Sequence, residues 1–103
     1  MGQYIIGFFG GTKPDTPEEA QGHLEKFMTW TGSLGRAVVN QGTPLKDSKI
    51  LTSDGQVSDD VPWTGYTIIQ ANNYEEAMEF AKGCPHLDIG GTLRIAEIKL
   101  LNK

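Results

Sequence analysis

The chain is short of cysteine, histidine and positive charge, and each shortage removes a class of function. Its 103 residues hold one cysteine, Cys84, so no internal disulfide can form and nothing asks for an oxidising compartment. Only His23 and His86 stand beside that thiol, too few for a four-ligand Cys/His zinc site. Neither a metal nor a cofactor is expected. Nine basic residues face thirteen acidic ones, for a net charge of −4. A surface that tracks phosphates needs a basic face, so nucleic acid is not an expected partner. No apolar run approaches the roughly 20 residues of a membrane helix, so no membrane association is expected either. Met1-Gly2-Gln3-Tyr4 carries no basic leader, and Ile6 stands where a myristoylation motif wants Ser or Thr. The expected location is the cytoplasm.

What is present describes a small folded unit. Hydrophobic residues make up 38% and charged residues 21%, which suits one domain spanning 1–103. Thirteen glycines and five prolines predict tight loops between short elements. Tyr4-Ile5-Ile6-Gly7-Phe8-Phe9 is apolar without alternation and reads as a strand buried on both faces. Thr16-Pro17-Glu18-Glu19 opens a helix: Thr16 caps, Pro17 suits the first turn and Glu19 completes a capping box. Ala20, Leu24, Phe27, Met28, Thr31 and Leu34 form its apolar stripe, and Gly35 ends it. Gly22 and Gly32 weaken this helix, which fits close packing, a ligand or simple tolerance.

Ala37–Asn40 predicts a second strand. Asp54-Gly55 predicts a two-residue hairpin turn between Lys49–Thr52 and Gln56–Ser58. Gly65–Ala71 predicts a further strand. Asn73 caps a second helix with Glu76 three residues on, and Gly83 and Pro85 stop it. Its stripe is Tyr74, Ala77, Met78, Phe80, Ala81 and Cys84. Thr92–Leu101 predicts the last strand. The order is α+β, a ferredoxin-like βαββαβ with an extra hairpin and two helices on one face of an antiparallel sheet. The opposite face is left apolar, and such a face usually joins copies. A homodimer packed sheet to sheet is the expected assembly. The alternative is a monomer whose Pro44–Trp63 segment folds over that face.

Several stretches, taken together, resemble the YCII-related (DGPF-domain) family. They are Thr16–Glu19 with His23-Leu24 and Trp30, Gln41-Gly42-Thr43-Pro44-Leu45, Gly65–Ile69, Tyr74–Ala77, Ala81-Lys82-Gly83-Cys84-Pro85, Gly90-Gly91-Thr92-Leu93 and Ile95–Ile98. The similarity spans nearly the whole chain. The family's Asp-Gly-Pro-Phe signature is shortened here to Asp60-Val61-Pro62-Trp63. The resemblance implies a dimeric α+β barrel. Related families of that fold include small enzymes acting on cyclic or aromatic compounds. Some members carry a His–acid pair proposed as an active site, and others lie near alternative sigma factors.

His23 is the first candidate for chemistry. It lies at the margin of the first helix's stripe and matches the family's helix-one histidine. An imidazole at such a margin can face a cleft and titrate near neutral pH. Asp59 and Asp60, ahead of Trp63, are candidate catalytic carboxylates that could orient it. Trp30, Trp63, Phe27 and Tyr4 are candidate walls of a pocket for an aromatic ligand. His86 and Asp88 read as part of an exposed turn, Pro85-His86-Leu87-Asp88, beside Gly90-Gly91, the alternative being a second His–acid pair. Cys84 reads as packing rather than as a nucleophile. Gly10-Gly11-Thr12-Lys13 lacks the spacing of a phosphate loop. The leading expectation is small-molecule binding, with His23 and a loop carboxylate moving a proton. The alternatives are a non-catalytic regulatory or accessory protein linked to transcriptional control, and a cofactor-free oxygenase-like activity on fold analogy.

Overall fold

A computed structural model describes residues 2–58 and 61–99. In chain order the elements are β1 (Gly2–Gly10), α1 (Pro17–Leu34), β2 (Val38–Asn40), β3 (Ile50–Leu51), β4 (Val57–Ser58), β5 (Trp63–Ala71), α2 (Tyr74–Ala81) and β6 (Gly91–Glu97). Short 3-10 turns lie at Gly35–Ala37 and Pro85–Ile89. Four strands form one sheet in the order β2-β5-β1-β6, and every neighbouring pair is antiparallel. β3 and β4 pair only with each other, as a separate hairpin. The α+β architecture is compatible with a ferredoxin-like fold.

Both helices start through local hydrogen bonds. The Thr16 hydroxyl accepts from the Glu19 N–H at 3.1 Å, and Glu19 reaches back to the Asp15 N–H at 2.9 Å. At α2, Asn73 accepts from the Glu76 N–H at 2.9 Å, and Glu76 accepts from the Asn72 N–H at 2.9 Å. These contacts satisfy amide groups that no helical carbonyl can reach.

The sheet separates its side chains by parity. On one face Tyr4 stands opposite Ile69, Ile6 opposite Thr67 and Ile95, and Phe8 opposite Gly65 and Leu93. This face packs against Trp30 of α1 and Ala77 and Ala81 of α2, forming the core. Ile6 and Ile69 are sealed at 0% exposure. Each contributes about 2 kcal/mol by burial. On the other face Ile5, Phe9, Tyr66 and Ile68 are half-buried. β1 is therefore sealed on one face rather than on both.

The stripe of α1 is rotated from the expected one. Trp30 and Thr31 are buried, and Phe27 and Leu34 pack against the core. Leu24 and Met28 are 50% and 53% exposed. The indole of Trp30 decides the rotation: its Nε1–H donates to the Phe80 carbonyl at 2.9 Å, tying α1 to α2. Gly22 and Gly32 face open space, so simple tolerance is their reading.

The hairpin turn holds three residues rather than two. Thr52 N–H donates to the Gln56 carbonyl, and Gly55 takes φ 85°. That is a type I turn closed by a left-handed residue, which glycine accepts without strain. The Asp54 carboxylate accepts from the Thr52 hydroxyl and the Gln56 N–H, and these bonds hold it below its ordinary pKa. Ile50, Leu51 and Val57 are exposed, Leu51 at 72%. The described hairpin thus buries none of these apolar side chains.

Candidate functional site

A cavity of about 610 Å³ opens beside the N-terminal half of α1. That is within the range of small-molecule sites. Three segments wall it: Gly10–Pro14 after β1, Gln41–Lys49 after β2, and Pro62–Tyr66 at the start of β5. Leu24 and Met28, left out of the core by the rotation of α1, line it together with His23 and Phe27. Phe8 reaches it from the sheet, and His86 and Ile89 from the 3-10 turn.

The Gln41–Leu45 strap is held in place by side chains and backbone. Gln41 Nε2 donates to the Thr31 hydroxyl at 3.0 Å, and its carbonyl accepts from the Thr67 hydroxyl at 3.1 Å. The Leu45 N–H donates to the Thr64 carbonyl at 3.0 Å. Gly42 takes φ 82°, and a Cβ there would overlap the Tyr66 carbonyl. Only glycine lets the strap approach β5 this closely.

His23 is half-buried on the cavity wall. Its pKa is lowered, first by loss of water around the ring, then by His86 and Lys26; Asp88 opposes them. Among the described residues it has no hydrogen bond to a carboxylate. Asp59 and Asp60 lie outside the described residues. The described acid that acts on His23 is Asp88, through space.

The expected aromatic wall divides. Phe27 and Trp63 do line the cavity. Trp63 does so at the start of β5, while its indole lies on the open face, stacked on Phe9 at 5.8 Å beside Gly7 and donating its Nε1–H to the Gly65 carbonyl at 2.9 Å. Trp30 does not line it, because its indole is spent between the helices. Tyr4 does not either: it is buried edge-on against Tyr74 at 5.0 Å.

His86 overturns the expectation of an exposed turn. It is only 6% exposed. Its Nε2 lies 2.9 Å from the Phe9 carbonyl, and its ring stacks on Phe8 at 5.6 Å. Two glycine pairs make room for it. A Cβ at Gly11 would come within 2.9 Å of His86 Cε1, and one at Gly91 would overlap the Cδ2–Nε2 edge. Gly90 allows the chain to turn back into β6 at φ 78°. The only sequence signal for this niche is the pair of Gly-Gly doublets, which lie 79 residues apart and meet through β1–β6 pairing at Gly10 and Gly91.

The remaining chemistry is simple. Lys13, Lys46 and Lys49 line the cavity against one described carboxylate, Asp47. The chain as a whole is acidic, so this rim is locally reversed. Cys84 is buried, and burial pushes its thiol up to about 11, which leaves it inert at neutral pH. Among the described residues no three His, Cys, Asp or Glu side chains are grouped to hold a metal. No described helix is long and apolar enough to cross a membrane. No protein-family model matches the chain, and no curated protein matches it significantly.

Proposed function

We propose that the chain binds a small cyclic or aromatic acid in this cavity and that His23 exchanges a proton with it. The carrying observation is the joint placement of His23, Leu24, Phe27 and Met28 on one cavity of about 610 Å³. Apolar walls take the ring. The lysine rim favours an acidic substituent, and a lone imidazole whose pKa is lowered by desolvation suits proton exchange. The arrangement fits the resemblance to the YCII-related family, and the open sheet face fits a dimeric α+β barrel. In that reading two copies meet through Ile5, Phe9, Tyr66 and Ile68. Asp59 and Asp60 remain the proposed carboxylate partners of His23. The expected setting is cytoplasmic.

Calorimetric titration of a panel of aromatic and alicyclic carboxylic acids tests the reading. Leu24→Trp fills the cavity from an exposed position and leaves the core alone. Binding by the wild type that weakens more than about tenfold in Leu24→Trp supports the site. A panel that fails to bind, or that binds the variant equally well, rejects it.

A further inference from the structure

We infer that His86 is a second ligand-binding group of the cavity, whose Nδ1 lone pair accepts a hydrogen bond from the hydroxyl of a phenolic or enolic ligand. The inference rests on the cavity reading above and adds a role that His23 cannot fill.

The geometry fixes which nitrogen does what. A carbonyl oxygen can only accept, so the 2.9 Å contact with Phe9 commits the His86 proton to Nε2. In the neutral ring Nδ1 then carries a lone pair. No described residue donates to Nδ1. Among the described residues no sealed side-chain nitrogen or oxygen lacks a partner, so Nδ1 keeps accessible surface. The residue is otherwise buried and lines this cavity, so that surface opens onto it.

The ring cannot turn to offer the other nitrogen. Phe8 covers one face, Gly11 backs Cε1, and Gly91 backs the Cδ2–Nε2 edge. A half-turn would put a carbon against the Phe9 carbonyl and lose that bond, and intermediate rotations are blocked by the close backbones. His86 is thus an acceptor of fixed direction, whereas His23 is half-buried on the α1 wall with no hydrogen bond to a described residue holding its ring. A fixed lone pair repels a carboxylate and welcomes a hydroxyl. The ligand class is therefore a hydroxylated ring, its acidic group turned instead toward the lysine rim.

Benzoate and its 3- and 4-hydroxy forms are the probes, added to uniformly ¹⁵N-labelled protein at pH 8, where imidazole is neutral. Long-range ¹H–¹⁵N spectra read the ring nitrogens. The expected result is a hydroxybenzoate preferred over benzoate by about tenfold, the worth of one hydrogen bond. His86 Nδ1 should move toward the protonated position with the hydroxylated ring only. His86→Phe should retain benzoate and lose the preference. If that variant does not fold, the wild-type ring shifts decide. Equal binding of all three acids in the cavity, with Nδ1 unmoved, overturns the inference and leaves the cavity reading standing. A preference that moves the His23 ring instead also overturns it. Failure of all three acids to shift any cavity residue overturns both.

Discussion

The two faces of the sheet carry the same kind of residues to different ends. Tyr4, Ile6 and Phe8 alternate with Ile5, Gly7 and Phe9 along a single strand. The first set is buried under both helices. On the second face Phe9 stacks with Trp63 over Gly7, and Arg94 sits 5.8 Å above the Phe9 ring. Apolar content therefore does not separate a core face from an open one. What separates them is the supply of helices, and two helices cover one face only. The covered face also holds the site, because α1 turns its Trp30 edge to the core and leaves Leu24 and Met28 along a cavity.

The largest expected effect is on the covered face. Ile6→Ala should cost about 3 kcal/mol in denaturant unfolding, since Ile6 is sealed and its neighbours cannot close the gap. Next comes Gly91→Ala, at about 2 kcal/mol, because its methyl would occupy the His86 ring position and come within 2.7 Å of the His86 carbonyl. A loss below about 0.5 kcal/mol there would contradict the niche. On the open face Ile68→Glu should leave unfolding within about 1 kcal/mol of wild type. In sedimentation the same substitution should yield an 11.3 kDa species and abolish the proposed pairing of the wild type. A wild type that is already monomeric would break the comparison on that side.

The smallest effect is electrostatic. Burial lowers the folded-state pKa of His23, so the unfolded chain binds more protons below the ordinary histidine value of about 6.5. The stability contributed by the neutral ring is complete above that pH and is lost as the pH falls through the lowered value. His23→Gln should flatten this part of the stability profile. An unchanged profile would place His23 in ordinary solvent.

Much of the frame was legible because it is set by neighbours in sequence. Thr16 with Glu19 and Asn73 with Glu76 act within one helical turn, so their hydrogen bonds follow from spacing. The order of elements along the chain followed from the changes in hydrophobic period. The site was legible only in part. His23, Phe27 and Trp63 reached the cavity, whereas Trp30 and Tyr4 did not, since an indole or phenol can serve a core as readily as a pocket. The stripe of α1 departs from its sequence pattern because Leu24 and Met28 are as apolar as core residues while facing a cavity. The burial of His86 is hidden from the sequence because Pro-His-Leu-Asp before glycines looks locally like a wet turn. Its burial comes from Gly11 and Phe8, which lie more than 70 residues away.

The central claim is that the covered face, at the α1 end, holds a binding site for a cyclic or aromatic acid. Backbone and histidine-ring NMR shifts during a titration with 4-hydroxybenzoate test it most directly. The account predicts that the largest changes fall on Gly11, Thr12, Gly42 and Gly65 and on the His23 and His86 rings. Changes confined to Ile5, Ile68 and Ala96 on the open face, or none at saturating ligand, would contradict it.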